Sequence, residues 1–377
     1  MPGQNSDPIS TPGNLFPNGR RLLRVVAMGG GTGLSTLLKG LKHYVGAPPG
    51  AKPPSTYPVL IGELSAVVTV TDDGGSSGRL RKDLKVLPPG DIRNCIVALS
   101  EDETLLSRLF QYRFPAGSKL QGHSFGNLFV TALAAVTGDF AAAVKLSSEV
   151  LATRGHIFPA TTANVQLEAS MKDGRRVRGE TKITASQGGI KRLRLLPADA
   201  KPLPQTLDAI GKADLITIGP GSLFTSLIPN LLVQGIAQAI AKSPAVKVFV
   251  CNLMTQSNES LGLSAADHIR AIYDHARHPI FDYALVNTRP VSGELKSKYA
   301  REGASQIVGD TEKIEALGVR VIQGDYLGEA GVARHATERV AWELTALAMG
   351  TRAAQSGTAT ARGQSFNAQA RRANTAD

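Results

Sequence analysis

Residues 25–41 read VVAMGGGTGLSTLLKGL, and the rest of the chain repeats their pattern. A β-branched apolar run passes through a glycine-rich turn into an amphipathic segment with leucines at helical spacing. A strand joined to a helix by so short a turn is the repeating unit of α/β proteins. Such glycines also let the backbone approach a ligand closely, and the N-terminus of the following helix offers unpaired N–H groups to an anion.

The same alternation continues along the chain. Further apolar runs, each followed by a turn or a longer amphipathic segment, read AVVTVTDD, ADLITIGPGS, VKVFVCNL, DYALVNT and VRVIQGD. Continuous apolar strands separated by helices are typical of a parallel sheet that is covered on both faces. We therefore predict a doubly wound, mainly parallel α/β fold that occupies residues 21–350 as a single domain.

Four segments depart from this rhythm. Residues 1–20 and 351–377 are polar and lack apolar periodicity, so we expect both ends to be disordered. Residues 46–58 are rich in proline and predict a loop insertion. Residues 165–184 alternate apolar and polar positions around a Lys-Asp-Gly-Arg turn, which predicts an antiparallel hairpin. We expect this hairpin to join the main sheet as part of an accessory β element over residues 165–196.

Composition narrows the class of protein. The chain has 377 residues, is 42% hydrophobic and carries a net charge of +11. Its basic residues are scattered and show no pattern of a DNA- or RNA-binding motif, so we expect anionic small molecules rather than a specific nucleic acid. No apolar run is long enough to span a membrane, and no signal peptide is apparent, which indicates a cytoplasmic protein. Cys95 and Cys251 lie in apolar strings and should be buried free thiols.

The first glycine-rich turn fits neither familiar nucleotide-binding template. Leu34 stands where GxGxxG needs glycine, and the Lys-Ser/Thr pair of a P-loop is missing. The turn is therefore either an unconventional phosphate site or a close packing contact between strand and helix. The candidate binding residues here are Gly29, Gly30, Gly31, Thr32 and Gly33.

The second strand end carries two acids. Asp72 and Asp73 directly follow the run VVTVT, so we expect them in the same crevice, where carboxylates hold ribose hydroxyls or a hydrated divalent cation. The next residues predict an anion-accepting loop with bidentate phosphate donors, or alternatively a solvated turn. The candidates in this loop are Gly74 to Gly78, with Ser76 and Ser77, and the cations Arg79 and Arg81.

Three further strings add polar candidates near strand or helix ends. Asp91 and Asn94, like His123, Ser124 and Asn127, stand at expected helix starts and could either cap the helix or face a ligand.

The stretch 214–230 runs from a strand through Gly219, Gly221 and Ser222 into a helix, as a second phosphate cradle. Two cradles indicate a two-part ligand. No serine has an obvious paired base, so covalent catalysis is not expected.

The motifs GGGTGL, TVTDDGGSSGRLR, PPGDIRN, GHSFGN, IGPGSLFTSLIPNLL and VCNLMTQ occur in this order between about residues 24 and 345. Together they resemble the gluconeogenesis factor family of YvcK type, which is related to the CofD 2-phospho-L-lactate transferases. The resemblance implies a Rossmann-like, CofD-like nucleotide-binding fold. It also implies a cytoplasmic factor that binds a nucleotide diphospho-sugar such as UDP-N-acetylglucosamine and regulates cell shape, cell-wall precursors and central carbon metabolism.

The resemblance also assigns residues and leaves two functional classes open. It places Thr32, Asp72, Asp73, Asn94, Asn127, Gly219 to Ser222 and Asn252 on the ligand crevice, and it allows a homodimer. A regulatory factor would need no cofactor. The alternative is a transferase that uses Mg²⁺, held by Asp72 and Asp73, and a guanosine diphosphate-linked phospholactate. One departure is Leu263, which replaces an aromatic residue of many relatives, so a stacking contact would be missing or supplied elsewhere.

Overall fold

The computed structural model describes residues 21–46, 57–100, 105–329 and 331–352. The N-terminal segment 1–20, the centre of the proline-rich stretch 46–58 and the tail beyond residue 352 lie outside the described residues. The last described helix covers residues 337–352, so residues 351 and 352 are helical rather than part of a disordered tail.

Ten strands occur in the described residues. They are β1 (Leu23–Gly29), β2 (Ile61–Val68), β3 (His156–Pro159), β4 (Gln166–Met171), β5 (Arg176–Arg178), β6 (Ile190–Leu196), β7 (Leu215–Ile218), β8 (Val246–Val250), β9 (Tyr283–Asn287) and β10 (Arg320–Gly324). Seven of them form a parallel sheet in the order β10-β9-β8-β7-β1-β2-β3, and the other three form an antiparallel sheet in the order β5-β4-β6.

Helices follow most of the strands. They are α1 (Gly31–Leu41), α2 (Gly75–Leu84), α3 (Gly90–Leu99), α4 (Leu105–Gln111), α5 (Phe125–Thr137), α6 (Phe140–Val150), α7 (Glu180–Ala185), α8 (Pro204–Lys212), α9 (Ile228–Leu232), α10 (Ile236–Lys242), α11 (Ala265–Ala276), α12 (Gly293–Ala300) and α13 (Thr311–Glu315). A π-helical turn at Leu223–Leu227 precedes α9.

The central strands are buried on both faces, which explains their continuous apolar sequence. All but one residue of β1 is buried, and Leu34, Leu38 and Leu41 of α1 pack against the sheet with 0% exposure. Burying each such leucine contributes roughly 1.5–3 kcal/mol. The expected doubly wound, mainly parallel α/β fold is confirmed.

The strand order reverses between β1 and β7. From β1 the chain adds β2 and β3 on one side, and from β7 it adds β8, β9 and β10 on the other. Loops at such a reversal diverge to opposite faces, so a crevice opens beyond the carboxyl ends of the two strands. The fold therefore places the two glycine-rich turns next to each other.

The accessory element differs from the expected hairpin. It does not join the main sheet, and β6 completes it as a separate three-stranded sheet. The second hairpin strand, β5, has only three residues, because Gly179 at φ +91° redirects the chain into α7. The small sheet is held to the main body by His275 of α11, whose Nε2 accepts a hydrogen bond from the Leu193 N–H at 2.9 Å. The segment 165–196 thus carries a helix that the alternation did not reveal.

Two further expectations concern thiols and membranes. Cys95 and Cys251 are buried free cysteines, as predicted. In the described ranges no single helix has the length and apolarity to cross a bilayer, although one pair, Leu223–Leu232 with Ile236–Lys242, meets the criterion across an 80° bend.

Candidate ligand-binding cleft

A cleft of about 610 Å³ opens along the carboxyl ends of the parallel strands. Its walls come in turn from the segments that follow β2, β1, β7 and β8. Tyr299 and residues 332–335 close it beside the β8 segment, where His335 contacts the Cys251 carbonyl and Tyr299 packs with Leu253 and Met254. The cleft therefore has a β2 end, a centre at the strand reversal and, on the side away from β2, an end that we name the β10 end because residues 332–335 follow β10.

The first glycine-rich turn forms half of the centre. Gly31 has φ +60°, a conformation that favours glycine, and its N–H donates to the Asp91 carboxyl group. The α1 helix that begins here has Gly30 as its N-cap, which has no side chain to cap the helix, so Asp91 occupies the first N–H group and the next ones have no side-chain cap. Thr32 is exposed in the cleft. This arrangement offers unpaired donors and the positive end of a helix dipole to an anion.

The two turns touch each other directly. A Cβ on Gly33 would lie 2.2 Å from the carbonyl oxygen of Pro220, and one on Gly30 would lie 2.5 Å from Thr69 Cγ2. Gly30 and Gly33 are therefore needed for close packing, which was one of the two interpretations of this turn. It does not compete with ligand binding, because the same contact brings both turns to one cleft.

Amide side chains brace the second turn. Asn252 donates to the Gly221 carbonyl at 2.6 Å and accepts from the Gly221 N–H at 2.9 Å, so both polar atoms of its amide hold the turn. Gln256 donates to Ser222 Oγ at 2.9 Å, and Asn230 donates to the Gly29 carbonyl at 3.1 Å. Asn252 thus positions the turn as well as lining the cleft.

The β2 end is acidic. Asp72, Asp91 and Glu180 line it, and Glu180 comes from α7 of the accessory segment. Burial and then the charge of Asp72 raise the pKa of Asp91 to about 7, although the Gly31 N–H and Arg93 favour the ionised form. Burial, with the charges of Asp91 and Asp72, raises the pKa of Glu180 to about 9. Glu180 therefore holds a proton at neutral pH and can donate a hydrogen bond.

The β10 end combines an aromatic ring, a cation and a histidine: Tyr299, Arg334 and His335. The hydroxyl group of Tyr299 accepts from the Ala333 N–H at 3.2 Å, which fixes the ring against this wall. His335 Nε2–H donates to the Cys251 carbonyl at 3.0 Å, and burial lowers the pKa of His335 to about 4.

His335 should make the protein sensitive to acid. Because its pKa is depressed from 6.5 to about 4 by folding, the unfolded chain binds the proton first. The free energy of unfolding should therefore fall as the pH drops below about 6.5, by roughly 1–2 kcal/mol between pH 7 and pH 5. His335→Asn should reduce that slope in thermal unfolding scans, whereas His156→Asn, at an exposed position, should not. An unchanged slope in His335→Asn would contradict the assignment.

Half of the sixteen predicted binding residues line the cleft. They are Gly30, Gly31, Thr32, Gly33, Asp72, Gly221, Ser222 and Asn252. The other eight do not line it: Gly29, Asp73, Ser76, Ser77, Arg79, Asn94, Asn127 and Gly219.

Residues 75–78 form the first turn of α2 and not the loop expected at 74–78. Gly75 at φ +48° turns the chain directly into α2, and the Gly78 N–H donates to the Gly74 carbonyl as the first helical bond. Ser77 Oγ accepts from the Gly90 N–H at 3.1 Å, and Arg79 donates to the Gln121 carbonyl at 2.6 Å. These side chains hold the fold together instead of contacting the cleft.

Ser76 has a histidine partner that its sequence neighbourhood did not reveal. Its Oγ lies 2.9 Å from His123 Nδ1 and accepts from Asn127 Nδ2 at 3.0 Å, and all three residues are buried. The three residues lie outside the cleft lining, so the contact does not give the cleft a nucleophile. Ser124 proves to be a helix cap, since its Oγ accepts from the Asn127 N–H at 3.3 Å.

The two adjacent acids have different partners, and only Asp72 lines the cleft. Asp73 Oδ1 accepts from both the backbone N–H and the hydroxyl group of Thr181, at 2.8 and 2.7 Å, which turns it away from the cleft. Asp72 follows β2 by four residues rather than directly, and its Oδ1 accepts from the Gly74 N–H at 2.8 Å. In residues 21–46, 57–100, 105–329 and 331–352, no group of three or more His, Cys, Asp or Glu side chains is placed to hold a metal ion.

The prediction drawn from Leu263 was that a stacking contact is missing or supplied elsewhere, and the cleft has a tyrosine among its lining residues. Leu263 lies outside the cleft, while Tyr299 lines it. Neither Tyr299 nor Glu180 adjoins a glycine-rich motif in the sequence. Asp91 was expected either to cap a helix or to face a ligand. It lies in the first turn of α3, and it lines the cleft.

Comparison with known proteins agrees with this architecture. The family model described as 2-phospho-L-lactate transferase CofD matches residues 25–327. The chain is 50% identical to the gluconeogenesis factor of Halalkalibacterium halodurans over 318 residues, 84% of this chain and 94% of that protein. It is 47% identical to the gluconeogenesis factor of Bacillus subtilis over 319 residues, 84% and 96% of the two chains.

The fold likeness is equally extensive. The crystal structure of a UPF0052 family member from Bacillus halodurans superposes with a TM-score of 0.79 at 48% identity, covering 85% of this chain and 98% of that one. The strand order and the two abutting glycine-rich turns agree with these matches. The chain belongs to the gluconeogenesis factor family, within the wider CofD family.

Proposed function

We propose that this chain is a regulatory factor that binds a nucleotide diphospho-sugar, such as UDP-N-acetylglucosamine, and thereby adjusts cell shape, cell-wall precursor supply and central carbon metabolism. The observation that carries the proposal is the order of chemistries along the cleft. Acids lie at the β2 end, two glycine-rich turns lie at the centre, and Tyr299 with Arg334 lies at the β10 end.

This order matches the three parts of such a ligand. A pyrophosphate suits the centre, where the α1 N-terminus, Thr32 and the Gly221–Ser222 backbone offer donors. A base suits the β10 end, where Tyr299 offers an aromatic face for stacking. A sugar suits the β2 end, because carboxyl groups accept and donate hydrogen bonds to hydroxyl groups but repel phosphates.

A binding role fits the side chains of the cleft. The Ser76 and His123 pair lies outside the lining, and Ser222 Oγ is engaged by Gln256. Ser222 and Ser226 line the cleft, and neither is hydrogen-bonded to a basic or acidic side chain among the described residues, whereas the Thr225 hydroxyl group donates to Glu259 at 2.7 Å. The gluconeogenesis factor names of the relatives support regulation as the outcome of binding.

Calorimetric titration with UDP-N-acetylglucosamine tests the proposal. We expect saturable binding, with the ligand recovered intact. Thr32→Ala should weaken it roughly 10- to 100-fold, because a hydroxyl hydrogen bond to a charged group contributes about 1.5–3 kcal/mol. Thr162→Ala, an exposed threonine away from the cleft, is the matched control and should bind normally. No saturable binding by the unmodified protein would overturn the proposal.

The transferase alternative predicts a different preference. The match to the CofD family model is compatible with this alternative. With Asp73 bound to Thr181, Asp72 would have to hold Mg²⁺ together with ligand phosphates. GDP with Mg²⁺ would then bind more tightly than UDP-N-acetylglucosamine, Asp72→Ala would abolish that binding, and guanosine monophosphate would be released from the activated phospholactate. That result would replace the regulatory proposal.

A further inference from the structure

Among the described residues, no lysine or arginine lines the acidic β2 end of the cleft. Arg81 and Arg93 lie near enough for their charges to act on these acids, but neither lines the cleft. The Arg81 guanidinium donates to Asn164 Oδ1 at 2.7 Å and to the Val165 carbonyl. The Arg93 side chain packs over Gly126 of α5. The cation among the described lining residues is Arg334, at the opposite end.

From this arrangement we infer that the β2 end selects the sugar by its charge, through Asp72, Asp91 and Glu180: a cationic amino sugar is preferred, a neutral sugar is accepted and an anionic sugar is rejected. The inference rests on the proposed binding of a nucleotide diphospho-sugar. It adds the sugar class, which the motifs do not specify.

Electrostatics at this end give the direction of the preference. The groups that face Asp91 are Asp72, Glu180, the Gly31 N–H and, from behind, Arg93. Those that act on Glu180 are Asp91, Asp72, the Thr71 hydroxyl group at 3.2 Å, Glu259 and, as the one cation, Arg81. Glu180 is protonated at neutral pH, and Arg81 and Arg93 do not line the cleft, so the charges that a sugar meets at this end are those of Asp72 and of ionised Asp91. A further negative charge there meets repulsion and a positive charge meets attraction.

The protonation states make the preference depend on pH. Because the pKa of Asp91 is raised to about 7, this acid gains its charge between about pH 6 and pH 8. Discrimination against an anionic sugar should therefore widen over that interval. Glu180, with a pKa of about 9, stays protonated there and donates to a sugar hydroxyl group instead.

Three ligands that share one nucleotide test the inference without any mutation. Calorimetric titrations in EDTA would compare UDP-glucosamine, UDP-glucose and UDP-glucuronate, which differ in charge but little in size. At pH 8 we expect UDP-glucuronate to bind at least about tenfold more weakly than UDP-glucose, and UDP-glucosamine to bind at least as tightly as UDP-glucose.

The outcomes separate the inference from the proposed function. If UDP-glucose binds but UDP-glucuronate binds equally well or better, the proposed function stands and charge selection is overturned. If none of the three binds, the proposed function falls and the inference falls with it.

A variant then locates the charge. Asp91→Asn keeps an acceptor for the Gly31 N–H and removes the titrating group, so the ratio of the UDP-glucose and UDP-glucuronate affinities should no longer widen from pH 6 to pH 8. Asp199→Asn, at an exposed position outside the cleft, should retain the widening. Widening that persists in Asp91→Asn would overturn the assignment to Asp91.

Discussion

Replacing Glu180 by glutamine should stabilise the protein at pH 8 and leave its stability at pH 5 nearly unchanged. The folded protein raises the pKa of this carboxyl group from 4.5 to about 9, so the folded state binds more protons than the unfolded state between those values. The free energy of unfolding therefore falls as the pH rises through this interval. Glutamine mimics the protonated acid and removes that loss, a gain of roughly 2–4 kcal/mol at pH 8.

Denaturant titrations at pH 5 and pH 8 would measure this difference. Glu63→Gln is the matched control, because Glu63 is exposed on β2 and its replacement should change neither value. Equal effects of Glu180→Gln at both pH values would show that Glu180 is ionised in the folded protein. The carboxyl group of Glu180 thus lowers the free energy of unfolding at pH 8, and such a cost is common at functional sites.

A methyl group at Gly33 should damage the cleft from its centre. In Gly33→Ala the new Cβ would lie 2.2 Å from the Pro220 oxygen and 2.9 Å from the Gly221 Cα. These are backbone atoms that cannot rotate away, so the two turns must separate. We expect a loss of roughly 2–4 kcal/mol in the free energy of unfolding and loss of nucleotide-sugar binding.

Gly211→Ala provides the contrast. Gly211 lies in α8 with no atom within 4 Å of its would-be Cβ, so alanine should stabilise the helix by about 0.5–1 kcal/mol and leave binding intact. Both variants would be compared in urea unfolding and calorimetry. If Gly33→Ala behaved like Gly211→Ala, the close contact between the turns would be refuted.

The architecture was predictable because the central parallel strands are buried on both faces. Runs such as VVAM and LITI contain no polar residue except threonine, which is typical of a buried strand, and each is followed by glycine. The accessory sheet was harder to predict, because β5 is only three residues long and α7 follows it at once. Alternation alone suggested a longer hairpin there.

Half of the predicted residues line the cleft, and the others lie outside it for a shared reason. Glycine and aspartate next to a strand end indicate a ligand, but Ser76 and Arg79 belong to a helix whose side chains point at α5 and at residue 121. Local spacing cannot show which way such a helix faces. Glu180 is 108 residues from Asp72 along the chain and reaches the cleft only through tertiary packing.

The position of Glu180 in α7, within the segment that carries the small antiparallel sheet, has an evolutionary consequence. One cleft residue is borne by a module that shares no hydrogen-bonded strand with the sheet supporting the phosphate-type turns. Lineages that lengthen, shorten or exchange this module can remodel the sugar end while the turns at the strand reversal are inherited unchanged. Divergence in ligand choice within the family should then concentrate in the module, and chimeras that swap it between members would transfer sugar preference without rebuilding the scaffold.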